Sequence, residues 1–112
     1  MNFVSIDFET ANDSLYSACA IGAVAHQNLE ITVEESYLIK PPLLHRKLRK
    51  ENYNIHKIKY SSYIKADRFF KVWDNLEKKI DSFNDSETIF ICFNAIFDLS
   101  VLLNLLNKYK ID

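Results

Sequence analysis

The stretch Asn2–Thr10 alternates without a break. Val4, Ile6 and Phe8 point one way, and Phe3, Ser5, Asp7 and Glu9 point the other. A period of two is the signature of a strand, and it puts the Asp7 and Glu9 carboxylates on one face. Two acids two residues apart are ordinarily just solvated. Here the rest of the strand is apolar, which argues against plain surface placement. Acids in such a setting need partners, and a divalent cation is a good one. Any fold for this chain must give that strand one dry face and one face able to hold charge.

The remaining pattern supplies its neighbours. Residues 18–26, rich in small and β-branched side chains, read as a second strand and residues 30–39 as a third. Gln27-Asn28 lies where a tight turn would join them into a hairpin. Pro41-Pro42 ends the third strand. From there to about residue 65 no clean period appears, so the stretch reads as loop with short helical turns. Residues 67–83 carry Phe69, Val72, Trp73, Leu76, Ile80 and Phe83 at helical spacing, one apolar stripe with Asp67 placed to cap it. Asn84-Asp85-Ser86 reads as a turn, residues 88–93 as a short apolar strand, and residues 95–109 as a last helix. The order β-β-β-α-β-α shows no linker or repeat, so residues 1–112 read as one domain of α/β class.

Leu99 to Leu106 holds six apolar residues in eight. A helix apolar around most of its girth needs cover on more than one side, from further chain, a second copy in a homodimer, or a completing partner.

Composition removes several classes of function. With a single glycine, Gly22, the chain cannot carry a dinucleotide fingerprint or a P-loop. The longest purely apolar run, Ala18 to Ala25, is too short to span a bilayer, which argues against a membrane role. The N-terminus lacks a basic segment and reaches Asp7 at once, unlike a secretory signal. Cys19 and Cys92 lack metal-type spacing and read as reduced, buried thiols of a cytoplasmic protein. Charge is unevenly spread. Residues 1–39 hold six acids and no Lys or Arg, whereas residues 40–65 hold eight basic residues against Glu51 alone. An acidic end suits cations and a basic middle suits phosphates, although ordinary solvated lysines give the same pattern.

Asp98 falls in the first turn of the last helix, just past the fourth strand. The helix dipole alone favours an acid there. In a βαβ unit with adjacent parallel strands, however, the C-terminal ends of strands one and four lie side by side. Asp7, Glu9 and Asp98 would then meet at one sheet edge, a hard-oxygen set suited to Mg²⁺ or Mn²⁺.

These residues sit in longer matching runs. Phe3-Val4-Ser5-Ile6-Asp7-Phe8-Glu9-Thr10 resembles the first motif of the DnaQ-like, or DEDD, 3′–5′ exonucleases, among them the epsilon subunit of bacterial DNA polymerase III. Phe93-Asn94-Ala95-Ile96-Phe97-Asp98 and the apolar helix after it resemble the second. Between them, Tyr37-Leu38-Ile39-Lys40-Pro41-Pro42 and Asn54-Ile55-His56-Lys57-Ile58 are similar to further family stretches, with Lys57 at a usual glycine. The resemblance implies a ribonuclease H-like fold with three antiparallel strands and a fourth parallel to the first. It implies hydrolysis of phosphodiesters at single-stranded 3′ ends of DNA or RNA by two-metal catalysis. On that basis Asp7 bridges both metals, Glu9 binds the one that activates water, and Asp98 binds the second. Thr10 and Ala11 lie against the terminal nucleotide, Asn94 and Phe97 shape the pocket, and His56 lies near the cleft. His26 and His45 are expected to be surface residues.

Two departures qualify this. Phe93 stands where histidine is common. The family's fourth acid and its His or Tyr base have no counterpart after Asp98, where only Asp112 follows. The expectation is therefore a C-terminally truncated domain with an impaired second metal site. A positioned base contributes about 10²–10⁴-fold, so weak or absent activity is expected of this chain alone. The alternatives are a non-catalytic nucleic-acid-binding or assembly module and a domain completed by a partner. A ribonuclease H or transposase core fits the motif spacing poorly.

Overall fold

The computed structural model describes residues 2–80, 83–85, 87–92 and 95–111. Strand β1 spans Asn2–Thr10, β2 Ala18–Gln27 and β3 Glu30–Leu38. A 3₁₀ turn, Leu43–His45, leads to three helices: α1 Lys50–His56, α2 Tyr60–Tyr63 and α3 Phe69–Lys79. Strand β4, Ile89–Cys92, and helix α4, Ala95–Lys108, complete the order. The sheet runs β3-β2-β1-β4, with β1 antiparallel to β2 and parallel to β4.

The alternation read in β1 is obeyed. Val4, Ile6 and Phe8 are buried, while Asp7 is exposed. Helix α3 lays Phe69, Val72, Trp73 and Leu76 on that dry face, with the Phe69 ring 6.3 Å from Phe8. Helix α4 adds Val101, Leu102 and Leu105 to the same core. Beyond the end of β1 a second, smaller cluster joins Ala11, Cys19 and Tyr63, with Leu48 and Ile58 packed against it.

Four local expectations change. The hairpin turn is Asn28-Leu29 rather than Gln27-Asn28: both have positive φ, 52° and 72°, the geometry of a two-residue I′ turn whose twist matches its strands. Helix α3 is shorter than its apolar stripe. Arg68, not Asp67, is its N-cap, and no side chain caps it. Residues 67 and 68 are extended alongside residue 40, Lys40 N–H donating to the Asp67 carbonyl at 2.8 Å. The stripe outlasts the helix because Phe83 folds back, its ring 4.7 Å from Trp73. Cys92 is only half-buried, since it closes a margin strand, whereas Cys19 is buried as expected; both are free.

The anticipated shortage of cover for α4 is present. Leu99 and Leu103 are 49% and 56% exposed, and Ile89, Phe90 and Ile91 of the neighbouring strand are each at least 40% exposed.

Candidate active site

Asp7 and Glu9 stand on the face of β1 opposite the core. Their cross-strand partners on β2 are Gly22 and Ala20, so nothing bulky rises beside them. A Cβ added at Gly22 meets no atom within 4 Å, so the floor there is open. The parallel ladder between β1 and β4 stops at Ile6 and Cys92. Just past that stop, the Phe8 N–H donates to Asp98 Oδ1 at 3.1 Å. Asp98 is fully buried, so this bond fixes the first turn of α4 against the strand, between the positions of the two other acids.

Asp7 and Glu9 feel their surroundings. Partial burial pushes the Asp7 carboxyl above its ordinary range, and the Asp98 carboxylate pushes it further. Glu9 is raised by burial, then by Asp7; His56 draws it back, and Asp98 adds a smaller push upward. Repulsion among acids at one edge is relieved by a cation, and oxygen donors of this kind fit a hard divalent ion. Among the described residues, however, no three His, Cys, Asp or Glu side chains are drawn into a ready-made metal cage. The donor chemistry fits; the cluster is open.

Around Asp7 and Glu9 lies a cleft of about 470 Å³, whose lining does not include the fully buried Asp98. Glu9, Thr10 and Phe97 line it together with Asn52, Ile55 and His56 from α1, and Leu15 stands at its side. The expected residues Thr10, His56 and Phe97 are thus gathered with Asp7 and Glu9. Ala11 is not: it is fully buried in the smaller cluster, because the chain turns inward after Thr10, with Ala11 N–H donating to the Ser17 carbonyl at 2.8 Å. Asn94 and Phe93 lie outside the described residues, as does Asp112. His56 lines the cleft but is committed to protein. Ile58 N–H donates to its Nδ1 at 2.9 Å, so Nε2 carries the proton and donates to the Thr10 carbonyl at 3.1 Å. His45 is no idle surface residue: it is half-buried, its Nδ1 bonds Ser14 Oγ at 2.8 Å, and its ring lies tilted against Tyr16, 5.1 Å between centres.

Several contributors escaped the sequence reading. Asn12 donates through Nδ2 to the His45 and Lys47 carbonyls at 3.1 and 2.8 Å, joining the loop after β1 to the segment before α1. Arg49 pairs with Asp13 across the same seam and lies 3.4 Å from Glu51. Lys57 sits over the Tyr53 ring. Part of the basic middle is therefore occupied in holding loops. A signal for Asn52 did exist: it precedes His56 by four residues, one helical turn.

No family model matches the chain, and no curated protein does. Solved structures do. The nuclease domain of 3′hExo, described as a DEDDh family member bound to rAMP, is similar at 17% identity and TM-score 0.77, over 99% of this chain and 60% of that one. A product-bound exonuclease I gives 15% identity and TM-score 0.77, over 95% of this chain and 25% of its own. Exonuclease X in complex with 5′ overhanging duplex DNA gives 23% identity and TM-score 0.68, over 88% and 52%. The chain spans between about a quarter and three-fifths of these proteins. At such identities the likeness establishes the fold: the mixed four-stranded sheet with flanking helices is that of ribonuclease H-like exonucleases.

Proposed function

We propose that this chain is a 3′–5′ exonuclease-type domain that takes a single-stranded nucleic-acid 3′ end into the cleft and holds Mg²⁺ or Mn²⁺ with Asp7, Glu9 and Asp98. One observation carries the reading: Asp98, distant along the chain, is tied by the Phe8 N–H to the end of β1 where Asp7 and Glu9 stand. When bound, such ions activate a water and stabilise the leaving oxygen.

The chain's own residues supply the rest. Glu9 and Asp7 face the open floor, where a scissile phosphate has room. Asp98, anchored by the Phe8 N–H, is the rigid member of the set. Phe97, with Ile55 and Leu15, offers apolar surface to a base. Thr10 contributes its place at the cleft wall; Ala11 lies in the interior, and its carbonyl holds the Arg49 N–H at the start of α1. With both nitrogens of His56 engaged, the described part of the cleft presents no free histidine base. Slow turnover by this chain alone follows.

The test is Mn²⁺ binding followed by paramagnetic resonance, beside trimming of a 3′-labelled single strand. Binding in the native chain, lost in Asp7→Asn and in Asp98→Asn, is the expected result. A native chain that binds no Mn²⁺ at millimolar concentration, or trimming unaffected by Asp7→Asn, sinks the reading.

A second reading is favoured by the uncovered apolar margin of β4 and α4: a completing partner or a second copy seated there, with the chain acting as an assembly module. Solution mass across a concentration series decides it, because a strict monomer in which Leu103→Glu changes nothing leaves self-association without support.

A further inference from the structure

Helix α1 forms a wall of the cleft, yet none of its own apolar residues is fully buried; Leu48 before it and Ile58 after it pack on the small cluster of Ala11, Cys19 and Tyr63. None of its seven residues is buried, no side chain caps its start, and Ile55 is 80% exposed. A surface helix usually keeps its place by burying a stripe, and isolated helices this short are unstable in water. Its other ties are polar. The Arg49 N–H, just before the helix, donates to the Ala11 carbonyl at 2.8 Å. Beyond that point two side chains one turn apart, Asn52 and His56, reach the same acceptor. Asn52 Nδ2 donates to the Thr10 carbonyl at 3.0 Å and His56 Nε2 donates to it at 3.1 Å.

That acceptor is special. The pairing of β1 with β2 slips between Glu9 and Thr10, so Thr10 lies opposite Ala18, one residue out of register with the rest of the strand. Thr10 is only 8% exposed, so water does not easily replace a lost donor. A carbonyl has two lone pairs, and here two donors take them. The imidazole is itself held in register by the Ile58 N–H on Nδ1, with Cys19 Sγ 3.9 Å from Nε2.

We propose that Asn52 and His56 are positioning residues, a two-pronged clamp on the Thr10 carbonyl that fixes α1 as the cleft wall. Affinity for a nucleic-acid 3′ end then depends on a pair that need not touch the cation. The structural half of this stands on the bonds above; the ligand half rests on the nuclease reading. Freed of the clamp, α1 pivots about Arg49 and the cleft loses its Ile55 side.

The experiment uses the full chain, with hydrogen exchange, a 3′-ended oligothymidylate and Mn²⁺ alone as probes. Asn52→Ala and His56→Ala are each expected to lose amide protection over residues 50–58 while the strands keep theirs. Each should weaken oligothymidylate binding about fivefold, the scale of one hydrogen bond. His56→Gln, which keeps a donor near the Nε2 position, should recover most of the loss. Mn²⁺ affinity in Asn52→Ala should stay within about twofold, since removing a wall bond leaves Asp7 and Glu9 in place. Unaltered protection at 50–58 overturns the clamp. So does protection lost equally across the sheet, which would make the pair general fold residues. If the native chain binds no oligothymidylate yet the two alanine variants lose protection as stated, the clamp stands and the nuclease reading falls.

Discussion

The two sides of β1 are finished in opposite ways. Toward β2 the strand runs into loops stitched by polar bonds: Asn12 to the 45–47 main chain, Ser14 to His45, Ser17 to the Asn12 and Ser14 carbonyls, Asn52 and His56 to Thr10. Toward β4 the sheet ends in apolar side chains left partly in water, Ile89, Phe90 and Ile91, beside Leu99 and Leu103 of α4. The first side adds many directional bonds to one small apolar cluster, which suits a cleft whose walls must be placed accurately. The second has packing on one side only, and large apolar patches on a surface mark places where something docks.

The sharpest way to break this contrast is a pair of leucines on α4. Leu105 is 1% exposed and Leu103 56%. Leu105→Ala is expected to cost about 3 kcal/mol in urea unfolding, the usual price of a core cavity. Leu103→Ala should stay within about 0.5 kcal/mol. Similar losses at the two positions would mean that the β4–α4 margin is covered in solution.

On the stitched side the largest single effect falls on Asn12. Its side chain makes three bonds, two donated to carbonyls and one accepted from Ser14 N–H at 2.9 Å. Asn12→Ala should cost about 1.5 kcal/mol, less than three full hydrogen bonds because exposed partners regain water. A loss below about 0.5 kcal/mol would show that the seam is held by its main chain instead.

Smaller effects come from two residues held at positive φ without being glycine. Leu29 has φ 72° and Lys57 φ 61°. The left-handed region costs a residue with a Cβ about 1–2 kcal/mol, and glycine's extra chain entropy takes back about 0.5–1 kcal/mol. Leu29→Gly should therefore stabilise by about 0.5–1 kcal/mol; at 93% exposure its side chain gives up nothing. Lys57→Gly should gain less, since Lys57 Nζ lies 5.6 Å from the Tyr53 ring centre and that contact is lost. Thermal unfolding that ranks Lys57→Gly above Leu29→Gly would assign the greater strain to the cleft wall.

How much of this was legible follows the same divide. Alternation gave β1 to the residue, and apolar periodicity located α3 and α4, because those elements bury a face and the pattern records it. The acids were placed from strand order alone, since parallel neighbours end together. Helix α1 reads only as a short helical turn within a loop, because it buries no apolar stripe and so leaves no clean periodicity. Asn52 acts on a carbonyl 42 positions away, and an acceptor on the main chain has no residue type to read. Only the resemblance puts Ala11 against the nucleotide, and a small residue beside a turn is equally suited to the interior, where it lies. Lys57 was noticed only as a departure from glycine; its φ supplies the reason glycine suits that place.

The smallest predicted effect bears on the acids themselves. Burial in the cleft and the Asp98 carboxylate hold the Asp7 carboxyl above its ordinary range, so folding disfavours its ionised form. At pH low enough to protonate Asp7 in both states, below about 4, it carries no penalty. As pH climbs through the raised value the folded state loses that advantage, and stability due to this group is lower at neutral pH than in acid. Asp7→Asn should then raise Tm at pH 7, with the gain shrinking as pH approaches 4. Water in the open cleft screens the repulsion, so the shift should be modest and should fade in high salt. Mn²⁺ acts on the same repulsion, and it should raise the Tm of the native chain more than that of Asp7→Asn. A fall in Tm for Asp7→Asn at pH 7 would instead make Asp7 a partner in the fold, and the poised, mutually repelling cluster on which cation binding depends would be gone.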